Sequence, residues 1–469
     1  MLLEHAAGRR LGTTSLERET VLDGVPVEGS LPRWLNGTLL RNGPGAFEAG
    51  GTAVRHWFDG FAMLHRFTIA DGRVSYANRF LQTRALRAAR AGRIGYREFA
   101  TDPCRSLFRR LTTLFVEQDM SDNAVVNIAR AGDDFIAMSE TPLPVVFEPR
   151  TLETLGIDGH PPGQLPTAHP HADRSGDLLN VAVHLGPVSS YRVYRRGAGG
   201  RHTRLARVPV RHPAYLHSFA LTERFVILAL SPLTVDPLRL ALADRPFIEN
   251  YRWTPERGTE LLAIERASGR VAQRWRGEPC FLFHHINAFE DGDDLVVDLC
   301  AYHDPQLIED LFLDRLRSGA DVAQARPRRY RLALGGGRAD HELLADVELE
   351  LPRIDDRLDG RPYRIAWGIS RRDPHGFADA LIRLDVQTRE HVRWSEPDCF
   401  PGEPVFVARP GGRGEDDGVV LSLVLDAGSG RSFLLVLDAA TLDELARAAL
   451  PHHVPFGIHG QFYGDLADA

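Results

Sequence analysis

Short apolar or alternating runs recur along the whole chain, and clusters rich in Gly and Asp separate them. The clearest runs are Asp134–Met138, Leu178–Val183, Phe225–Leu230, Leu295–Leu299, Val419–Leu425 and Phe433–Leu437. The turn clusters include Gly132–Asp134, Glu290–Asp294 and Glu415–Gly418. Many short strands punctuated in this way predict an all-β sandwich, barrel or propeller. No repeat is visible at a fixed period, so periodicity alone does not single out the propeller.

The chain offers no clear boundary between domains. Its 469 residues contain no linker enriched in Pro, Gly or Ser, and large closed β architectures form single units. A chain of this length also buries a large core. We therefore predict one β domain over residues 1–469, with residues 1–20 as an N-terminal extension.

Two segments have helical rather than strand periodicity. In Pro305–Leu316 the apolar residues on one helical face are Leu307, Ile308, Leu311, Phe312 and Leu316. In Arg105–Phe115 they are Leu107, Phe108, Leu111, Leu114 and Phe115, with Arg105, Arg109 and Arg110 off that stripe. Arginines beside an apolar face are typical of a helix in a membrane interface. Residues 103–116 are therefore a candidate membrane-docking helix, and a helix packed on the β domain is the alternative.

Composition and charge exclude several classes of function. The net charge is −7, and no basic stripe with interleaved aromatic residues is present, which argues against nucleic acid as a partner. All 56 basic residues are arginine, so no chemistry here depends on a lysine amine. The four cysteines form no C-x-x-C, which indicates neither a disulfide framework nor a cysteine-rich zinc site. Met1–Arg10 lacks the apolar core of a signal peptide, and no apolar run reaches the ~18 residues of a membrane span, so we expect a cytoplasmic protein.

Four of the 19 histidines stand in unusual surroundings. They are His169 in PTAHPH, His217 in YLHSF, His284 in FHHINA and His459 in VPFGIHG. Because they are far apart in sequence, only a fold that brings strand ends to one axis, such as a propeller, could gather them. Imidazole ligands suit Zn, Cu, Fe or Ni, so these residues leave the metal open.

These four contexts, in chain order, resemble the iron–histidine motifs of the carotenoid cleavage oxygenase family. Further segments carry the resemblance, namely Leu39–Gly45 (LLRNGPG), His56–His65 (HWFDGFAMLH), Glu403–Val407 (EPVFV) and Glu415–Ser422 (EDDGVVLS). The similarity runs from about residue 20 to residue 465. It implies a seven-bladed β-propeller with a cap of loops and short helices over the metal-bearing axis.

Within the family, the chain most resembles the branch of the β-carotene oxygenases and the retinoid isomerohydrolase. The segments that carry this likeness are Asp102–Arg105, Glu140–Pro142, Thr151–Leu155, Phe283–Leu299 and Trp394–Asp398. The resemblance implies a non-haem Fe(II) centre at the four histidines, with O2 as co-substrate. A redox-inert zinc ion would not activate dioxygen.

The resemblance also assigns carboxylate partners to three of the histidines. The expected pairs are Glu140 with His217, Glu350 with His284 and Glu403 with His459, which leaves His169 without a partner. Such a partner fixes the tautomer of a metal-bound imidazole. Taken alone, each glutamate would more often be a surface charge. His171 and His285, beside two of the expected ligands, are expected either to hold the ligands from outside the metal's coordination sphere or to be structural. Packing, capping or solvent-exposed roles are expected for His56, His65, His452 and His453.

The implied reaction is the O2-dependent cleavage of a conjugated alkene bond into two carbonyl products. We favour β-carotene, cut at its central double bond to give retinal, and expect no catalytic side chain beyond the metal centre. Candidates for lining a substrate tunnel, with ordinary core as the alternative, are Phe61, Phe283, Tyr302 and Phe456. Because a carotenoid resides in the bilayer, we expect peripheral association with the membrane.

Four alternatives remain open. The enzyme could cleave an apocarotenoid at another bond, or it could be a retinyl-ester isomerohydrolase, which only product analysis would separate from a cleaving enzyme. A stilbene-cleaving dioxygenase is disfavoured because those enzymes use an active-site lysine. A metal-free propeller that serves as a binding scaffold would match the retained histidines and glutamates poorly.

Overall fold

The strands of this chain form a ring of seven sheets. The computed structural model describes residues 8–103, 108, 120–158, 164–173, 175–372 and 376–467. Within these ranges there are seven larger sheets and two short two-stranded ones, Glu48–Ala49 with Thr52–Ala53 and Leu233–Thr234 with Arg252–Trp253. The prediction of a seven-bladed β-propeller is confirmed.

We number the blades in chain order and give their strands from the outer edge to the inner edge. Blade 1 contains Thr20–Leu22, Arg73–Phe80, Phe61–Ala70, Gly37–Ala46 and Gly460–Tyr463. Blade 2 contains Thr154–Ile157, Val145–Phe147, Asp134–Met138 and Asn127–Ala131. Blade 3 contains His202–Val210, Ser189–Arg196 and Leu178–His184, which pairs with both Leu165–Pro166 and His171–Ala172.

The remaining four blades follow the same plan. Blade 4 contains Arg338–Ala339, Val271–Gly277, Thr259–Glu265, Phe225–Leu230 and Ala220–Leu221. Blade 5 contains His341–Leu343, Arg326–Ala333, Asp294–Ala301 and His285–Asp291. Blade 6 contains His391–Trp394, Ala380–Asp385, Ile365–Ser370 and Glu350–Arg353. Blade 7 contains Val27–Gly29, Glu444–Ala449, Arg431–Asp438 and Gly418–Asp426, which pairs with both Cys399–Pro401 and Val405–Ala408.

The two ends of the described chain close the ring. Near the N-terminus, Val27–Gly29 adds to the outer edge of blade 7 by pairing with Glu444–Ala449. Near the C-terminus, Gly460–Tyr463 adds to the inner edge of blade 1 by pairing with Gly37–Ala46. Because blades 1 and 7 each borrow a strand from the opposite end of the chain, opening the ring would break both pairings.

The apolar runs of the sequence are buried because each blade is covered on both faces. In Phe225–Leu230 every residue is buried. Alternate residues point to opposite faces of a strand, so Phe225, Ile227 and Ala229 pack into the cluster shared with blade 5 while Val226 and Leu228 join the main core. A strand covered on both faces is apolar throughout rather than alternating.

Helices are short and lie in the connections. Within the described residues, the α-helices include Arg84–Arg90, Pro237–Leu242, Gln306–Asp310 and Leu313–Ser318, and residues 8–12 are also helical. The 3₁₀ helices are Trp57–Asp59, Ala198–Gly200, Ile248–Asn250, Pro255–Arg257, Asp356–Leu358 and Gly464–Leu466. None of the helices in the described ranges is long and apolar enough to cross a membrane.

The prediction of one continuous helix over Pro305–Leu316 is wrong, because the structure has two short helices there, Gln306–Asp310 and Leu313–Ser318. The apolar face of this segment is buried, but the helix breaks before Phe312, whose backbone is extended at φ −64° and ψ 138°. Phe312 instead forms an isolated β-bridge with His56. A contact distant in sequence therefore overrides the local helical pattern.

The candidate membrane-docking helix is largely outside the described residues. Leu107, Leu111, Leu114 and Phe115 lie outside them. Phe108 is described, and its side chain is 74% exposed.

Candidate metal centre

The four singled-out histidines meet at the propeller axis, each from a different blade. His169 lies between the two inner strands of blade 3, and His217 lies shortly before the inner strand of blade 4. His284 immediately precedes the inner strand of blade 5, and His459 immediately precedes that of blade 1. The inner strands of several neighbouring blades contact one another. Residues at the ends of these strands therefore converge although they are up to 290 positions apart in the chain.

The ligating nitrogen atoms of these histidines face each other. The Nε2 atoms of His169 and His217 are 3.1 Å apart, and those of His284 and His459 are 3.3 Å apart. One ligand atom from each of the four histidines lies within 4.8 Å of the others. Two nitrogens ~2.1 Å from one ion and at right angles to each other would be ~3 Å apart. The spacing therefore fits a single metal ion among the four rings.

Three of the rings donate their outer N–H to a carboxylate. The distances from Nδ1 to the carboxylate oxygen are 2.5 Å for His217 and Glu140, 2.6 Å for His284 and Glu350, and 2.8 Å for His459 and Glu403. These are the three pairs expected from the sequence. The hydrogen bonds among the described residues give His169 no carboxylate partner.

Each carboxylate is itself held by further groups. The hydroxyl of Tyr215 donates to Glu140 at 2.9 Å, and the hydroxyl of Tyr302 donates to Glu350 at 3.0 Å. Such contacts fix the carboxylate, which in turn fixes the orientation of the imidazole.

Glu403 is the most strongly held of the three carboxylates. Arg41 donates to its Oε2 at 2.6 Å, Arg353 donates to its Oε1 at 3.0 Å, and the backbone N–H of Gly460 donates to Oε2 at 3.0 Å. Sequence reasoning missed both arginines. The motif LLRNGPG contains Arg41 and was an available signal, whereas nothing local marks Arg353.

Burial sets the protonation of the centre. It lowers the pKa of His169 well below its usual value, helped by the neighbouring histidines, and it lowers the pKa of His459 to about 4 despite the nearby Glu403. Burial also lowers the pKa of His217, outweighing its hydrogen bond to Glu140. Burial alone would raise the pKa of Glu403, but Arg353 and His459 outweigh it and hold that pKa below its usual value. The imidazoles of His169, His217 and His459 are therefore neutral beside an ionised Glu403 at physiological pH.

The histidine nitrogens at the axis form a cluster of electron-pair donors that a bound cation would stabilise. An imidazole whose Nδ1–H donates to a carboxylate has a lone pair on Nε2. For His217, His284 and His459 that lone pair points toward the other rings. Neutral nitrogen lone pairs this close repel unless a metal ion or a proton lies between them. The donor set therefore fits a bound transition metal.

An apolar cavity of about 770 Å³ adjoins one side of the centre. It reaches His217 and Glu140, and its other described lining residues are mainly apolar, including Phe58, Phe99, Met120, Val126, Leu165, Leu185 and Phe247. The ring of Phe58 is stacked on that of His217 with centroids 6.2 Å apart. Sequence reasoning missed Phe58, although it lies in the HWFDGF segment.

The four aromatic residues predicted to line a tunnel are buried, but none is among the described lining of this cavity. Phe283 packs against His217 with centroids 4.8 Å apart, and Tyr302 donates to Glu350. Phe456 lines a separate cavity of about 570 Å³, and Phe61 begins the third strand of blade 1 in chain order. Phe283 and Tyr302 therefore support the metal centre.

A larger polar cavity lies along the axis. It has a volume of about 1330 Å³ and is lined by His169, His284 and His459 together with polar residues such as Asp356 and Asp359. The metal position is thus bounded by an apolar cavity and a polar one.

The neighbouring histidines are engaged elsewhere. Both ring nitrogens of His171 are bonded, Nδ1 to Asp359 at 2.7 Å and Nε2 to the carbonyl of Phe219 at 3.0 Å. His285 bonds Ser218 through Nδ1 at 2.9 Å. His171 therefore has no nitrogen left for a metal.

Comparisons with known proteins agree with this geometry. The family model described as "Retinal pigment epithelial membrane protein" matches residues 13–464. A carotenoid isomerooxygenase from Galleria mellonella is 36% identical over 94% of this chain and 93% of its own length. A beta,beta-carotene 15,15′-dioxygenase from Rattus norvegicus is 31% identical over 94% of this chain and 88% of its own length.

Solved structures give the same result. Cobalt-substituted Synechocystis ACO, an apocarotenoid oxygenase, matches with a TM-score of 0.87 and 28% identity over 98% of each chain. From the family model and the relatives together, we conclude that this chain belongs to the carotenoid oxygenase family.

Proposed function

We propose that this chain is a non-haem iron(II) dioxygenase that cleaves a conjugated alkene bond of a carotenoid. The observation that carries the proposal is the convergence of four histidine nitrogens, three of which are held by carboxylates. Iron(II) bound by His169, His217, His284 and His459 would supply the activation of dioxygen.

The residues of the chain supply position rather than proton transfer. Glu140, Glu350 and Glu403 fix three of the rings, and the apolar wall that includes Phe58 and Phe99 excludes water and accepts a polyene. The reaction balances without a protein acid or base, since one alkene and one O2 give two carbonyl compounds. For β-carotene cut at its central double bond, the products are two molecules of retinal.

The choice of β-carotene rests on the relatives and on the cavity. One relative is named as a beta,beta-carotene 15,15′-dioxygenase, and the cavity beside His217 is mainly apolar. An apocarotenoid cut at another bond is the second candidate, supported by the structural likeness to an apocarotenoid oxygenase.

Product chromatography tests the proposal. Iron-loaded protein is incubated in air with detergent-solubilised β-carotene, beside a His459→Ala variant as the control. Retinal from the wild type and none from the variant is the expected result. Longer apocarotenals would overturn the central position of the cut and keep the enzyme class. No product from protein shown to contain iron would reject β-carotene and direct the assay to apocarotenoids, retinyl esters and stilbenes.

We also propose that the apolar cavity opens toward a membrane surface. Three exposed apolar side chains support this: Phe108 is 74% exposed, Leu238 67% and Leu242 52%. The last two lie on the helix Pro237–Leu242, which is followed closely by the cavity-lining residue Phe247. A peripheral contact there would let a bilayer-dissolved substrate enter the cavity directly.

Liposome flotation tests the membrane contact. Replacing Leu107, Phe108 and Leu111 by Ser, or Leu238 and Leu242 by Ser, is expected to reduce binding without changing metal content. Wild-type binding by either folded variant would show that its segment makes no membrane contact.

A further inference from the structure

Glu98 is an acidic residue in the wall of the apolar cavity beside the metal centre. Its Oε1 accepts a hydrogen bond from the hydroxyl of Ser121 at 2.6 Å. Among the hydrogen bonds of the described residues, its Oε2 has no partner. The same cavity wall contains the buried hydroxyl of Thr141, which also has no partner in the described part of the chain.

The surroundings of Glu98 favour its neutral form. Burial raises the pKa of Glu98 well above its usual value, and the nearby Asp59 and Asp122 add to that rise. The adjacent Arg97 directs its guanidinium to Asp102 at 3.3 Å and to the carbonyl of Arg245 at 2.8 Å. A protonated carboxyl both donates and accepts hydrogen bonds.

A hydrocarbon in the cavity would leave Oε2 of Glu98 and the hydroxyl of Thr141 without a hydrogen-bond partner among the described residues. A buried polar group without a partner is costly, and a site built to hydrogen-bond a substrate oxygen discriminates against the analogue that lacks it. A hydroxyl or carbonyl oxygen on the bound polyene would satisfy Glu98.

We propose that Glu98 is a positioning and specificity-determining residue that hydrogen-bonds an oxygen atom at the end of the substrate lying in this cavity. Oxygen-bearing carotenoids are then preferred over the carotene hydrocarbon, and the bond between Glu98 and that oxygen sets which alkene lies at the metal centre. This inference rests on the proposed function: it keeps the carotenoid class and replaces β-carotene by an oxygen-bearing carotenoid as the preferred substrate.

A purely structural role for Glu98 would have a different signature. The bond from Ser121 joins Glu98 to the chain that follows the undescribed residues 109–119. If that were its whole purpose, removing Glu98 would affect every substrate alike. A substrate-binding role changes the ratio between substrates.

Steady-state cleavage of three probes measures that ratio. The probes are β-carotene, its 3-hydroxylated derivative and a shortened polyene alcohol that keeps one β-ring, and the proteins are iron-loaded wild type, Glu98→Leu and Glu98→Gln. We expect the wild type to cleave one oxygenated probe with a kcat/KM about tenfold or more above that of β-carotene. We expect Glu98→Leu to abolish this preference and Glu98→Gln, which still donates and accepts, to retain most of it. If the 3-hydroxylated carotene has the higher kcat/KM, Glu98 binds a ring hydroxyl. If the shortened polyene alcohol has the higher kcat/KM, Glu98 binds an oxygen at the end of the chain.

The outcomes separate the two proposals. Cleavage of β-carotene by wild type with no preference for either oxygenated probe overturns the inference alone, even if Glu98→Leu does not fold. A preference that persists in folded Glu98→Leu also overturns it, as does an equal loss on all three probes. No cleavage of any probe overturns the proposed function and the inference with it.

Discussion

The metal centre and the cavity beside it differ in how their side chains are held: by hydrogen bonds at the centre and mainly by apolar packing in the cavity. At the axis, three of the four histidines are each fixed by a carboxylate, and each carboxylate is fixed by further donors from other parts of the chain. In the cavity, apolar side chains form most of the wall, and polar groups such as Glu98 and Thr141 have unused bonding capacity. The side chains at the axis are thus fixed by a network of hydrogen bonds, whereas the wall of the cavity is defined mainly by apolar packing.

This difference separates two kinds of substitution. A change at the axis should alter metal affinity or stability, because it breaks a network whose members depend on one another. A change in the cavity should alter substrate selection and leave the metal in place.

The largest loss of metal affinity is expected from removing one histidine ligand. The adjacent histidines His284 and His285 allow a ligand to be compared with a non-ligand. In His284→Ala we expect metal affinity to fall by more than about 100-fold, beyond the loss typical for an outer partner, and activity to be lost. His285→Ala removes the neighbouring imidazole, which bonds Ser218 instead, so its metal content should match wild type. Metal analysis of both purified proteins provides the measurement. Equal metal content in the two variants would contradict the ligand assignment.

The next largest loss of metal affinity is expected at the carboxylates, where Glu403 and Glu140 should differ in their effect on stability. Glu403→Gln and Glu140→Gln should each lower metal affinity about 10- to 100-fold, because each loses the charge that orients a histidine. Only Glu403→Gln also removes the carboxylate that forms ion pairs with two arginines, one of them the buried Arg41 at 2% exposure. Breaking a buried pair costs about 3 kcal/mol or more.

Chelator competition and urea unfolding of the metal-free proteins separate these two consequences. Glu403→Gln should be less stable than Glu140→Gln, whose carboxylate contacts no arginine in the described hydrogen bonds. Equal stability of the two variants would show that Arg41 and Arg353 do not depend on Glu403.

A smaller effect is expected in the cavity. Phe58→Leu removes ring area from the wall beside His217, so kcat/KM for the carotenoid should fall by about tenfold while metal content stays at the wild-type level. Phe456→Leu, in the separate cavity, is the matched control and should retain its kcat/KM. An equal loss of activity in both variants would contradict the assignment of the cavity at Phe58 as the substrate site.

The sequence predicted the axis better than the cavity, for physical reasons. Strands such as Phe225–Leu230 have the predicted bounds, because burial on both faces leaves a continuous apolar run between turns. The three glutamate–histidine pairs were predicted only through the family resemblance, since partners up to 77 residues apart carry no local pattern. Arg41 was missed for the same reason, being 362 residues from Glu403.

The cavity was harder to predict because its lining has no pattern distinct from core. Phe58 and Phe283 are both aromatic and both near His217, yet only Phe58 is among the described cavity-lining residues. The helix over Pro305–Leu316 failed through a related effect, as the bridge between Phe312 and His56 depends on a distant segment. Local periodicity predicts which side chains are buried, but it does not predict which residues they contact.

The smallest effect is expected at His56, a buried histidine behind the cavity that has no carboxylate partner among the described residues. It is fully buried, its Nδ1 accepts from the N–H of Phe58, and its Nε2–H donates to the carbonyl of Ile308. Burial lowers the pKa of His56 from 6.5 to about 3. Between those values the unfolded chain binds a proton that the folded chain does not, so stability falls as pH falls through this window.

The expected contribution of His56 is at most about 1.4 kcal/mol per pH unit. His56→Asn retains an acceptor for Phe58 and cannot titrate, so its unfolding free energy should depend less on pH than that of wild type between pH 6 and pH 4. His303→Asn, at a side chain 98% exposed, is the control and should keep the wild-type slope. Denaturant unfolding of the metal-free proteins at several pH values measures the slopes. An unchanged slope in His56→Asn would mean that this ring is protonated in the folded protein, and that the wall behind Phe58 is more open to water than the axis.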